Sequence, residues 1–155
     1  MPFRVLMVCG GNTCRSPMAQ ALLAHLARRA GYSDRGIVAE SAGVSALDGQ
    51  SASSNAVTAM AEMGIDISGH RSRRLRPEMI DEADLVLAME GHHLDAVLRM
   101  RPDAAGKARK LADFDIADPF MMSVDVYRRT RDQIAEALKK VLDGLDLQAD
   151  RGVCD

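Results

Sequence analysis

At 155 residues the chain has room for one compact core and none for a second domain. Its charge is nearly balanced, with 20 Lys and Arg against 22 Asp and Glu, so there is no general pull toward nucleic acid or an anionic membrane. No apolar run approaches bilayer length, no secretory pattern opens the chain, and three cysteines do not make an extracellular disulfide framework, so a reducing cytoplasm is the expected setting.

Val5, Leu6, Met7 and Val8 read as a buried strand, a short apolar run stopped by glycine. Next comes Val8-Cys9-Gly10-Gly11-Asn12-Thr13-Cys14-Arg15-Ser16-Pro17, where Ser16 is a good N-cap and Pro17 a good first helical residue. The helix expected from Met18 to Arg29 keeps apolar residues at Ala21, Leu22, Leu23 and Leu26. A strand near Ile37–Ser41 follows, then a helix from about Ser53 to Met63 and a strong apolar strand at Leu85–Met89. A helix near His92–Arg99, a short strand around Ala108–Ala112 and a long closing helix from about Ser123 to Leu145 complete the series. This alternation predicts an α/β, doubly wound fold: a four-stranded parallel sheet with helices on both faces and ligands bound at the carboxyl ends of strands. One domain is expected over residues 1–147, with Gln148–Asp155 as a polar tail.

The loop after the first strand is suited to holding an anion. Amides at a helix start lack intrahelical partners, and the helix dipole adds positive potential there. Gly10 and Gly11 permit the positive φ angles that turn successive amides inward, and Asn12 tolerates such angles too. Arg15, on the first helical turn, adds a planar two-pronged grip for phosphoryl oxygens. The same field favours a Cys9 thiolate at neutral pH, with the Ser16 hydroxyl available to donate to the sulfur. A thiolate beneath a bound phosphoryl group can attack phosphorus and form a phosphocysteine. Two other readings fail on spacing: no Gly-Lys-Ser/Thr follows Gly11, and Cys9 and Cys14 have no second ligand pair for zinc, Cys154 being isolated and His92-His93 lying in a polar helical stretch.

On these residues the chain resembles the low-molecular-weight protein tyrosine phosphatases. The signature of cysteine, five residues, arginine and serine is met by Cys9, Arg15 and Ser16, and Gly11, Asn12 and Cys14 also match. Ser41-Ala42-Gly43-Val44, Ile67-Ser68-Gly69-His70, Ala83-Asp84-Leu85-Val86-Leu87-Ala88-Met89 and Asp118-Pro119-Phe120 follow in family order. Within the family the details are similar to the bacterial protein arginine phosphatases, through Thr13 in the loop and Asp118-Pro119-Phe120 followed by Ser123, Asp125 and Tyr127. Met121-Met122 departs from relatives, which often carry a glycine, or an aromatic and then glycine, there.

The resemblance implies an enzyme that hydrolyses phosphoamino acids in proteins by a phosphocysteine route, phosphoarginine favoured. Cys9, Arg15 and Asp118 are implied as catalytic, with Gly10, Gly11, Asn12, Thr13, Cys14, Ser16 and Phe120 meeting the phosphate or substrate. Ser41 and His70 are implied as braces of the loop through its asparagine. The residues alone leave Asp118 open between turn former and general acid, since Asp-Pro is a common turn dipeptide; the resemblance decides for the acid. Cys14 is either a packing residue or a partner that captures oxidised Cys9 as a disulfide. Arg71, Arg73, Arg74 and Arg76 read as a solvated charge run. No cofactor and no metal are expected. The implied partners are phosphorylated proteins, with inorganic phosphate as product and no nucleic acid or membrane. Alternatives are a phosphotyrosine enzyme of the same mechanism, an arsenate reductase, and a non-catalytic phosphate-binding module. The reductase needs a relay of further cysteines, and none lies between Cys14 and Cys154; the binding module would be expected to lack Cys9 or Asp118.

Overall fold

The structure is a computed structural model describing residues 2–32 and 36–152. Four parallel strands, β1 (Phe3–Cys9), β2 (Ile37–Gly43), β3 (Leu85–Ala88) and β4 (Ala108–Lys110), form one sheet in the order β2-β1-β3-β4. The helices are α1 (Arg15–Arg29), α2 (Ser54–Ala61), α3 (Pro77–Glu82), α4 (Gly91–Met100) and α5 (Val124–Gly152), with a 3-10 turn at Pro102–Gly106.

Strand β1 is buried from Val5 to Cys9 because both faces of the sheet are covered. Its side chains alternate between two cores. Val5, Met7 and Cys9 join Met18 and Leu22 of α1, Met60 of α2 and Ile134 and Leu138 of α5. Leu6 and Val8 point the other way, to Ile80 of α3 and Val97 of α4. This is the doubly wound α/β arrangement that the alternation of elements predicts. The chain crosses from β1 to β2 on one side and to β3 on the other, so the sheet order reverses at the carboxyl end of β1, a place where such folds open a crevice.

Several boundaries differ from the expectation. Helix α1 begins at Arg15 with Cys14 as its N-cap, so Ser16 is not the cap and Pro17 is not the first helical residue. Helix α3 and the 3-10 turn were not expected; each is short and starts at a proline, Pro77 and Pro102, which presets a helical φ. The stretch expected as a tail continues α5 as far as Gly152, and residues 153–155, Cys154 among them, lie outside the described residues. Among the described residues no helix is long and apolar enough to cross a membrane.

Candidate active site

The loop after β1 is tied to the end of β2 by main-chain hydrogen bonds. Val44 N–H donates to the Cys9 carbonyl at 2.9 Å and Ser45 N–H to the Gly10 carbonyl at 3.0 Å. Gly43 makes this contact possible: a Cβ there would run into the Gly10 carbonyl oxygen and come within 2.9 Å of the Asn12 nitrogen. Asn12, at φ 56°, is the loop residue with left-handed backbone; Gly10 and Gly11, expected to supply it, do not. An asparagine side chain makes that conformation less costly by bonding locally.

Here that side chain is the hub of a chain of donors. The Arg73 amide donates to Asn12 Oδ1 at 2.8 Å, which fixes the orientation of the amide group. Asn12 Nδ2 therefore faces Ser16 and donates to its Oγ at 2.7 Å. The Ser16 hydroxyl is hydrogen-bonded to Cys9 Sγ at 2.9 Å and has a proton to give when the sulfur is a thiolate. His70 Nε2–H donates to the Asn12 carbonyl at 2.8 Å, which ties the loop to the segment after α2. Ser41 does not do so: its hydroxyl donates to Gln20 Oε1 at 2.6 Å, and it reaches the loop through its carbonyl, which accepts from Arg73 Nε at 3.1 Å. The arginine run is thus only partly solvated. Residues 73–75 lie along the end of β2, with Gly43 N–H bonded to the Arg73 carbonyl and Leu75 N–H to the Gly43 carbonyl.

Burial opposes the expected Cys9 thiolate. Burial pushes the thiol up, and the Ser16 hydroxyl and amide, the Arg15 charge and the Asn12 amide oppose this without overcoming it. Cys9 is almost fully enclosed at the strand end, and the desolvation that this imposes on a charged sulfur depends on packing that the loop sequence alone does not disclose. Ser16 leads the groups favouring the thiolate. In Ser16→Ala the pH profile of Cys9 alkylation by iodoacetate is expected to move to higher pH, because a hydrogen bond to the charged sulfur is lost. An unmoved profile would show that Ser16 does not act on the sulfur.

Arg15 is 3 % exposed and is held at one nitrogen. Nη1 donates to Glu90 Oε2 and to the Ile116 carbonyl, each at 2.6 Å. Nη2 lies 3.8 Å from Asp118 Oδ2, and Nε is buried without a partner. A buried donor left unpaired is costly, and the Nε–Nη2 edge has the fork geometry that takes two oxygens of a phosphoryl group. Burial works to raise the Glu90 carboxyl, but the Arg15 hydrogen bond and charge outweigh it and hold the group below its ordinary range.

Glu90 also caps α4 in a reciprocal pair with His93, whose Nδ1 accepts the Glu90 amide proton at 3.2 Å. Potential ligand atoms of Glu90, His92 and His93 lie within 4.8 Å of one another. They do not fit a metal ion: with Nδ1 accepting, the neutral His93 ring carries its proton on Nε2 and has no lone pair to offer there. Burial first, then the Arg15 and His92 charges, lower His93 from 6.5 to about 4, against Glu90 and Asp115. Between those values the unfolded chain binds the extra proton, so this residue makes stability fall as pH drops from about 6.5 to about 4. Urea unfolding across that window is expected to show a slope that is smaller in His93→Asn. Equal slopes in the two proteins would contradict the buried neutral ring.

Cys9, Gly11, Thr13, Cys14 and Arg15 line a cavity of about 270 Å³ together with Ser45, Ala46, Leu47, Gln50, Asp118 and Phe120. Asp118 is exposed on its wall, with Oδ1 accepting the Phe120 amide at 3.1 Å across Pro119. Cys14 also borders a polar cluster, with Sγ 3.3 Å from Tyr127 Oη and 3.4 Å from Ser53 Oγ. Cys9 and Cys14 are both free thiols. Burial, and next the Cys14 contact, push Tyr127 up to about 12. Of the expected site residues, Cys9, Gly11, Thr13, Cys14, Arg15, Asp118 and Phe120 therefore meet at one cavity. Asn12 and Ser16 support it from below, His70 from behind and Gly10 from its edge. Glu90, the Ile116 carbonyl, the Arg73 amide and the Leu47 side were missed. Glu90 alone left a trace in the sequence, as an acidic residue just past the end of a buried strand.

Residues 4–151 match the family described as low molecular weight phosphotyrosine protein phosphatase. A protein-arginine-phosphatase of Geobacillus stearothermophilus is 40 % identical over 154 residues, covering 96 % of this chain and 99 % of that one. A probable low molecular weight protein-tyrosine-phosphatase, EpsP, of Ralstonia nicotianae is 40 % identical over 145 residues, covering 92 % and 90 %. Among solved structures, a YwlE arginine phosphatase mutant with a phosphorylated active-site serine superposes with a TM-score of 0.86 at 35 % identity, covering 93 % of this chain and 96 % of that one. With Cys9 and Arg15 brought together at the carboxyl end of β1, the chain belongs to the low molecular weight protein phosphatase family and is a phosphatase of that type.

Proposed function

We propose that Cys9 is the nucleophile, Arg15 the phosphoryl clamp and Asp118 the general acid and base of a phosphoprotein phosphatase that prefers phosphoarginine. The observation carrying this reading is the Arg15 guanidinium, fixed at Nη1 with Nε buried and unpaired, in the loop that also holds Cys9. In the first step the Cys9 thiolate, its proton already released to solvent, attacks phosphorus, the bond from phosphorus to the leaving nitrogen or oxygen breaks, and Asp118 gives that atom its proton. In the second, water attacks phosphocysteine, Asp118 takes its proton, the S–P bond breaks, and inorganic phosphate and Cys9 are released. The relative with a phosphorylated active-site serine supports a phosphoryl group resting on the nucleophile position. A reducing cytoplasm suits a thiol nucleophile, and neither nucleic acid nor a membrane enters the reading.

The preference for phosphoarginine rests on Thr13 in the cavity wall and on the arginine phosphatase among the relatives. A hydroxyl beside the scissile phosphate favours a guanidinium-bearing leaving group over a phenol. Side-by-side hydrolysis of phosphoarginine, phosphotyrosine and phosphoserine peptides tests this. The parent is expected to favour phosphoarginine, and Thr13→Ile to lower that activity and raise phosphotyrosine hydrolysis, shifting the ratio by at least about tenfold, since polar sites discriminate strongly. An unchanged ratio would sink the phosphoarginine preference and leave the phosphatase assignment standing.

A further inference from the structure

A second cavity, of about 260 Å³, lies behind the catalytic loop, between α1, β2 and residues 66–70. It shares no lining residue with the Cys9 cavity, yet it reaches the same loop through His70. Its walls are apolar and mostly small: Pro17, Ala21 and Ala24 on α1 and Ala39 on β2. Asp66 and His70 supply acceptors, and Gln20, the other polar side chain of the lining, accepts the Ser41 hydroxyl at 2.6 Å.

Both acceptors have capacity to spare. The Ser68 hydroxyl, and then its amide at 2.8 Å, hold the Asp66 carboxyl below its ordinary range, so it is charged at neutral pH. No cation pairs with it among the described residues, and a carboxylate has about four lone-pair sites. His70 gives Nε2–H to the Asn12 carbonyl, so Nδ1 of the neutral ring holds a lone pair, and no donor among the described residues meets it. Burial first, then the Arg71 and Arg73 charges, push the ring down against its bond to Asn12 and keep it neutral. Those arginines do not line the pocket: Arg71 is turned to Ser51 and the His70 carbonyl, and Arg73 to the Ser41 carbonyl. A carboxylate and an imidazole lone pair beside alanine walls suit a group that is cationic, rich in donors and carried on methylenes. Guanidinium meets all three terms, since its donors are forked and it sheds water more easily than an ammonium. A metal ion is not indicated, because the group of three potential ligands among the described residues lies elsewhere, at Glu90.

We propose that this pocket binds a guanidinium group on an aliphatic stem, with Asp66 and His70 Nδ1 as its acceptors. A donor at Nδ1 polarises the ring and strengthens the Nε2–H bond to Asn12, so an occupied pocket tightens the brace on the catalytic loop. A free arginine-like compound and an arginine within a protein chain share this chemistry.

The probe is N-acetylarginine amide, whose charge is the guanidinium alone, titrated into the full chain with and without vanadate in the catalytic cavity. N-acetylcitrulline amide, of the same shape without the charge, is the control. The arginine probe is expected to shift the Gly69 and Ala24 amide resonances saturably and to move the His70 Nε2–H resonance downfield, with or without vanadate. The citrulline probe should do neither. Asp66→Asn, which keeps an oxygen for Ser68, should weaken binding at least about tenfold, the worth of a hydrogen bond to a charged group. Ala24→Met, which fills the pocket from α1, should abolish it. A peptide with one internal arginine separates the two sources: binding tighter than the amide's assigns the pocket to a protein chain, and equal or weaker binding to a free compound. No saturable response in the parent overturns the inference. So does a citrulline response equal to that of arginine, binding unchanged in Asp66→Asn, or binding that vanadate displaces, which would belong to the catalytic cavity. Amide shifts with an unmoved His70 resonance overturn it as well, because they leave His70 out of the site.

Discussion

Cys9→Ser is expected to lower turnover at least about a thousandfold, the order of loss seen when the nucleophile of a covalent mechanism is removed. Serine fits the space, but its hydroxyl is a far weaker nucleophile at neutral pH than a cysteine thiol. Binding should persist in part, because the cradle does not depend on the sulfur. It is set by Asn12 at φ 56° and by Arg15, and it is braced by His70 and the Arg73 amide. Thermal unfolding should therefore show stabilisation by vanadate in both parent and variant, since a ligand bound to the folded state alone raises stability by mass action. Activity within tenfold of the parent would remove Cys9 from the mechanism. Loss of vanadate stabilisation together with activity would show that the sulfur shapes the cradle.

Arg15→Lys keeps the charge, yet it is expected to reduce kcat/KM by about a hundredfold to a thousandfold, the scale for losing a preorganised donor to developing charge. The structure gives the reason. Arg15 uses Nη1 to hold Glu90 and the Ile116 carbonyl and keeps a second edge for the ligand. An ammonium is one compact group, so a lysine that engages Glu90 has no fork left for phosphate. If it turns to phosphate, it leaves the Glu90 carboxylate, 22 % exposed, without its ion pair. Circular dichroism should show an intact fold, and the deficit should appear in single-turnover rates and in a weaker response to vanadate. Near-parent values for both would place Arg15 outside the reaction.

What the sequence disclosed was the chemistry that neighbours along the chain make together. Strand β1, its loop and α1 are consecutive, so an apolar run, a glycine pair and a helix start were enough to single out that loop as a candidate anion site. Pro119 marked Asp118 as a loop residue. Finer local points were harder: Ser16 has the composition of an N-cap yet lies inside the helix, where its hydroxyl serves Asn12 and Cys9. The supports that went unseen act across distance and through main-chain atoms. The Ile116 carbonyl and the Arg73 amide exist whatever side chain occupies those positions, and no residue type announces them. Burial of the Cys9 thiol went unseen for a related reason: the loop displays its stabilising donors, whereas the burial that opposes them comes from the packed sheet.

The seam between Gly43 and the loop has a consequence for inhibitors. Because Val44 and Ser45 clamp the loop through main-chain bonds, and Gly43 leaves no room for a side chain, the placement of the loop's surface is set by peptide backbone. A compound that derives its affinity from that surface meets much the same atoms in any protein with such a loop, so potency gained there brings little selectivity. Discrimination between related enzymes has to be sought at Leu47, Gln50 and Phe120, where side chains line the cavity. Resistance would be expected at those positions too, since a change there alters the fit of a drug without disturbing the cradle beneath it.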